Sequence, residues 1–212
     1  MAQSARDKIL GKLRAARDPF PDLEAPAERK TVTLREDVSP AALRARFIQE
    51  AEALKCKVHE AGSDADALEI LLDLLGDDRR ALMWDAEHIP VNGLADVLTA
   101  QGVTAAEPRD RDVRVGITGA DAALAATGSL VVITDAGKSR QASLMPPEHI
   151  AVLKADRILP DLEAFYAAQS ADTYRNNSNI AVISGPSKSA DIAMTMVHGM
   201  HGPGMLHIII VP

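Results

Sequence analysis

Lys55-Cys-Lys-Val-His-Glu-Ala-Gly-Ser-Asp-Ala-Asp-Ala-Leu-Glu-Ile-Leu-Leu-Asp-Leu-Leu-Gly-Asp-Asp-Arg-Arg-Ala-Leu-Met-Trp-Asp85 reads as one strand–helix–strand unit. Lys55–Glu60 predicts a short strand. Residues 64–75 predict a helix, because Leu68, Leu71, Leu72 and Leu75 fall on one face at the helical period and Gly76 stops it. Arg80–Asp85 predicts the next strand. A helix between two strands implies a crossover, and a crossover implies parallel strands in one sheet.

The same alternation extends in both directions. Upstream, Pro40 opens a helix at its first turn, with Leu43, Phe47, Ala51 and Leu54 as its buried stripe. Downstream, helices are expected at 92–101 (closed by Gly102), 119–126, 160–169 and 188–197. Strands are expected at Val103–Ala106, Val113–Ile117, Leu130–Thr134, Ile150–Leu153, Ile180–Ser184 and Leu206–Val211. The expected fold is a three-layer α/β/α arrangement around a largely parallel sheet. Ahead of it, residues 4–17 predict an amphipathic helix with Ile9, Leu10, Leu13 and Ala16 on one face. Prolines at 19, 21, 26 and 40 then mark an extended arm. The domain expectation is a helix and arm over 1–39 and an α/β domain over 40–212.

Hydrophobic residues make up 47% of the chain and aromatics 3%, so Leu, Ile, Val, Ala and Met must fill the core. The net charge of −7 argues against a nucleic-acid partner and against anionic membrane surfaces. No apolar run approaches the ~20 residues of a membrane-spanning helix, and the first residues carry no apolar leader. Cys56 is the chain's one cysteine. One thiol builds no internal disulfide, all-cysteine zinc site or iron–sulfur cluster, so a cytoplasmic location and no cluster in this chain are expected.

Candidate site residues concentrate after residue 113. Thr118-Gly-Ala-Asp121 matches a capping box, with Asp121 in the first turn of the alanine-rich helix that would follow. Thr127, Gly128 and Ser129 form a turn with two hydroxyls and bare amides, a candidate ligand contact. Gly137-Lys-Ser139 resembles the tail of a phosphate loop but lacks its first glycine, since Val132 stands there. Lys138 and Arg140 remain as two cations that could pair with a carboxylate or phosphate, or be solvated. Pro146-Pro-Glu-His149 enters a strand, where Glu148 and His149 must point in opposite directions. His149 is a candidate base or donor, or else a structural histidine.

Ser184-Gly-Pro-Ser-Lys-Ser189 ends a strand and is expected to open a helix. Ser184, Gly185, Ser187, Lys188 and Ser189 would then cradle an anion, with the serine-capped helix as the plain alternative. Asp191 opposes an anion there. His198 and His201 sit among Gly199, Gly202, Pro203 and Gly204, which makes a turn. No carboxylate or cysteine nearby completes a metal site, so no metal is assigned. The turns at 118–121, 135–139 and 184–191 follow apolar strands and are expected to share the carboxyl edge of the sheet, where ligands of such sheets bind.

The order of these motifs resembles the LUD-domain family, and within it the lactate utilization protein C subgroup. The series runs Gly116-Ile-Thr-Gly-Ala-Asp through Thr127-Gly-Ser129, then Arg140 and Pro147-Glu-His-Ile-Ala-Val152, then Ile183-Ser-Gly-Pro-Ser-Lys-Ser-Ala-Asp-Ile192, then His198-Gly-Met-His-Gly-Pro203. The resemblance implies a fold similar to the NagB/RpiA/CoA-transferase-like superfamily. It also implies a role in oxidising L-lactate to pyruvate beside two cysteine-rich partners that hold the iron–sulfur clusters. Ala126 stands where the family often has an acidic residue, which removes the carboxylate a mechanism would use there.

The leading expectation is thus an iron–sulfur-free component that binds a small carboxylate or phosphate-bearing ligand. Lys188 and Arg140 would neutralise the anion, and His149, His198 or His201 would act at a hydroxyl. Two alternatives stand beside it: an enzyme acting alone on a phosphorylated sugar or CoA ester, and a non-catalytic assembly subunit. Homo-oligomerisation is open.

Overall fold

Six strands lie parallel in one sheet, the first three joined by helical crossovers like the one read from residues 55–85 and the later ones by excursions through a second sheet. The structure, a computed structural model, describes residues 4–15, 37–170, 173, 177, 179–189 and 197–212. The chain divides into two units, Met1–Val32 and Thr33–Pro212. In the first, helix α1 spans Ala5–Ala15 and leaves Ile9 and Leu13 about 60% exposed. The expected arm over 18–39 falls largely on residues outside the described ones.

The second unit begins with α2 (Pro40–Ala53), whose Ser39 hydroxyl accepts from the Ala42 amide. Then follow β1 (Lys57–Glu60), α3 (Asp64–Leu75, capped by Ser63), β2 (Arg80–Met83), α4 (Leu94–Ala100), β3 (Thr104–Ala105) and β4 (Val115–Gly119). After these come β5 (Ala122–Leu124), β6 (Ser129–Thr134), β7 (Glu148–Lys154), β8 (Ile158–Leu159) and α5 (Leu162–Ala168). The remaining strands are β9 (Asn179–Ile183), β10 (Lys188–Ser189), β11 (Val197–His198) and β12 (Met205–Val211).

The large sheet runs in the order β1-β12-β7-β4-β2-β3, and a second sheet runs β8-β5-β6-β9. Side chains alternate across the large sheet. Val115, Ile117, Ile150, Val152, Ile209 and Val211 face Leu71 and Leu75 of α3 and Leu94 and Leu98 of α4. Ala151, Leu153, Ile208 and Ile210 face Phe47 and Ala51 of α2 and Ala123 and Leu130 of the second sheet. The expected α/β class and largely parallel sheet are therefore present.

Two expected helices are corrected. Residues 119–126 hold no helix: β4 runs to Gly119, and β5 pairs antiparallel with β6 and parallel with β8. Ala123 faces α2 and the large sheet, while Ala122 and Leu124 face Phe165 of α5. Burial on both sides demands small residues, and it overrides the helix preference of an alanine run. At 188–197, Lys188 and Ser189 are extended and pair antiparallel with His198 and Val197. Residues 190–196, including Asp191, lie outside the described ones. No helix starts at Ser187 or Ser189.

Candidate functional site

The strands β4, β7 and β12 start level with one another, since Val115 pairs with Glu148 and Glu148 with Met205. At this amino edge β7 sends Glu148 to one face and His149 to the other, as alternation requires. His149 is 1% exposed, and its Nε2 lies 2.8 Å from the Thr118 hydroxyl of β4. Burial lowers its pKa to about 4, so the ring is neutral at pH 7. Thr118 is thus a strand residue bonded to an imidazole, and not a helix cap.

His149 opens into a cavity of about 220 Å³ walled by Ser143, Ser184, Ser187, His201 and Leu206. The turn after β9 forms one wall. It is held by the Ser187 amide, which donates to Pro203 O at 2.8 Å, and by the Gly199 amide, which donates to Ser187 O at 2.9 Å. Behind it runs a chain of hydroxyls: Ser184 Oγ is 2.8 Å from Ser129 Oγ, which is 2.9 Å from Thr127 Oγ1. Thr127-Gly-Ser129 is the β5–β6 turn, pressed on the end of α2. A Cβ on Gly128, whose φ is +63°, would lie 2.2 Å from the Ala51 amide nitrogen.

The cations expected at one site lie in three places. Lys188 donates to Leu54 O at 2.6 Å, satisfying a carbonyl at the carboxyl end of α2. Arg140 is exposed in the short 3₁₀ turn Arg140–Ser143. Lys138 sits at the opposite, carboxyl edge of the sheet, 2.5 Å from Asp121 Oδ1. Asp121 Oδ2 accepts from the Ile133 amide at 2.7 Å, so this carboxylate ties β6 to the end of β4. The 135–139 turn therefore shares the carboxyl edge. The Ser184–Ser187 turn lies instead across the amino ends of β7 and β12, because it leaves the second sheet. Gly185 packs on Leu54, Ser189 lies in β10, and the His198 side chain is outside the described residues.

One cluster was not read from sequence. On the α3 face, Glu148 is 3% exposed and accepts from Arg114 and from His207 Nε2, the latter at 3.1 Å. A carboxylate only accepts, so His207 carries its proton on Nε2, and its Nδ1 accepts from His59 Nε2 at 3.0 Å. Burial, with help from His59, Lys57 and Arg114, lowers the His207 pKa to about 4. Arg114 also donates to Asp78 and to the last carbonyls of α3, Leu74 O and Leu75 O. These residues are spread from 59 to 207, and only the parallel register unites them. Among the described residues no group of three or more His, Cys, Asp or Glu is placed to hold a metal. Cys56 is buried, and burial pushes its thiol up to about 11, which suits neither a metal nor a nucleophile.

The sequence pattern of the LUD domain matches residues 44–211. Lactate utilization protein C of Shouchella clausii is 34% identical over 154 residues, spanning 68% of this chain and 67% of that protein. Proteins of the same name from an Exiguobacterium species and from Halalkalibacterium halodurans are 36% and 40% identical, over 46% and 42% of this chain. Those two matches span 44% and 40% of the relatives' own lengths. The crystal structure of a DUF162 family protein from Deinococcus radiodurans is similar with a TM-score of 0.60 at 22% identity, over 83% of this chain and all of that one. That likeness bears on the fold alone. No helix among the described residues is long and apolar enough to cross a membrane.

Proposed function

The chain belongs to the LUD domain family, and from that premise we propose that it serves lactate utilization as the iron–sulfur-free component of a multi-protein system that oxidises L-lactate to pyruvate. Relatives that carry the name lactate utilization protein C support the reading. The observation that carries it is the neutral, buried His149 beside a cavity edged with hydroxyls. Converting L-lactate to pyruvate removes two electrons and two protons, one of them from the C2 hydroxyl. A neutral imidazole accepts a hydrogen bond from that hydroxyl, and the Ser184 and Ser187 hydroxyls and His201 supply donors for a carboxylate. Among the described residues no lysine or arginine lines the cavity, which suits a small singly charged hydroxy acid better than a polyanion.

An iron–sulfur cluster does not fit this chain, whose one cysteine is buried with a raised thiol pKa. The electrons therefore leave to cysteine-rich iron–sulfur partner proteins, and this chain binds and orients. The test is purification of the tagged chain, without oxygen, from L-lactate-grown cells of its own host. The expected result is co-elution with iron–sulfur proteins and L-lactate-dependent dye reduction. A chain that elutes alone, in a preparation with no such reduction, overturns the reading.

A further inference from the structure

The carboxyl edge of the large sheet carries a second, differently charged cavity. It holds about 170 Å³ and is lined by Trp84, His88, Asp121, Lys138, Lys154 and Arg157, among others. We propose that it binds the phosphate group of a small molecule, at a place separate from the His149 cavity. In a chain of net charge −7, this cavity gathers three cations against one carboxylate. That surplus matches a dianionic phosphate better than a monocarboxylate. Asp156 and Glu87 approach Arg157 and His88 only at 3.9 and 3.7 Å.

The site is built by close packing rather than by loose surface chains. Gly119 ends β4 where a Cβ would lie 2.6 Å from His88 O and 3.3 Å from the Trp84 ring. Gly137, with φ +75°, lies where a Cβ would meet His88 Nε2 at 2.9 Å. Two glycines thus admit the His88 loop. The 135–139 turn is then clamped to the end of β2, by Asp85 N donating to Gly137 O at 2.8 Å and Trp84 Nε1 donating to Ser139 O at 3.2 Å. These contacts hold Lys138 5.0 Å above the Trp84 ring. The position also follows the rule for parallel sheets, whose ligands lie beyond the carboxyl ends of the strands. A larger cleft of about 650 Å³ shares Lys154 with this cavity and offers Asp64 and Asp96 as acceptors for hydroxyl groups on the rest of the ligand.

Trp84 is the chain's one tryptophan, so tryptophan fluorescence comes from the ring that lines this cavity. Inorganic pyrophosphate, titrated into the full chain, is the probe, with L-lactate as a parallel arm. A phosphate group that draws Lys138 from Asp121 changes the surroundings of the ring. The expected result is a saturable change with pyrophosphate, weakened at least about tenfold by Lys154→Gln with Arg157→Gln, both exposed positions. No saturable change up to roughly 10 mM overturns the proposal. So does a change that the double variant leaves intact, or one produced by L-lactate and not by pyrophosphate.

Discussion

Two imidazoles on neighbouring strands, His149 of β7 and His207 of β12, face opposite sides of one sheet, and burial holds both neutral. Their pKa values fall from 6.5 to about 4 on folding. Between those values the unfolded chain binds more protons than the folded one, so stability falls as pH drops. Each imidazole then costs about 2 kcal/mol by pH 5 relative to pH 7. Urea unfolding at the two pH values is expected to show that loss, and His149→Gln to reduce it by about half. A pH-independent midpoint contradicts the neutral buried rings. Glycine gives a second test at this scale. Gly128→Ala is expected to destabilise by more than about 2 kcal/mol, because the turn meets the α2 backbone. Gly76→Ala has open space around it but a backbone at φ +57° and ψ −123°, and should cost about 1–3 kcal/mol from backbone strain alone. His149 and the Thr127–Ser129 turn were legible as site candidates from residue type and position. The role of Lys188 was not, because its partner, Leu54 O, lies 134 positions away in the chain.

At the scale of elements, the apolar runs announced β4, β7 and β12, since these central strands are buried on both faces and read as largely hydrophobic segments. Pro40 announced the start of α2 and Gly76 the end of α3, where the chain does begin and stop those helices. The alanine run at 122–125 misled, because small residues serve a helix and a doubly buried strand equally well. Only pairing with β6 and β8 decides between them. The Glu148–Arg114 pair links the start of β7 to the carboxyl end of α3. Glu148→Gln leaves a guanidinium with less than its charge partner and disturbs the His207 proton position. Arg114 is partly exposed and keeps Asp78, so the change is expected to cost about 2 kcal/mol in chemical denaturation. Lys188→Met, which removes one exposed cap from α2, is expected to cost no more than about 1 kcal/mol and to leave the His149 cavity competent. A Lys188 variant that keeps its stability but loses L-lactate-dependent activity would move this lysine from the helix end to the ligand.

Across the whole molecule, the parallel sheet sets two edges apart and gives them different chemistry. The cavity at the amino edge is lined by imidazoles and serine hydroxyls, and the small cavity at the carboxyl edge by more cations than carboxylates. The fold class was legible because crossovers leave a period in the sequence. The division of labour between the edges was not, because it depends on a second sheet that carries the Ser184 turn to the amino ends of β7 and β12. We propose that this chain serves L-lactate oxidation through its amino-edge cavity. The most direct test is growth on L-lactate as the sole carbon source by a host strain lacking the chain. Growth is expected to fail, to return with the wild-type chain, and not to return with a stably folded His149→Gln, Ser184→Ala variant. Undiminished growth of the strain lacking the chain would contradict the claim, and full rescue by the variant would remove the cavity from it.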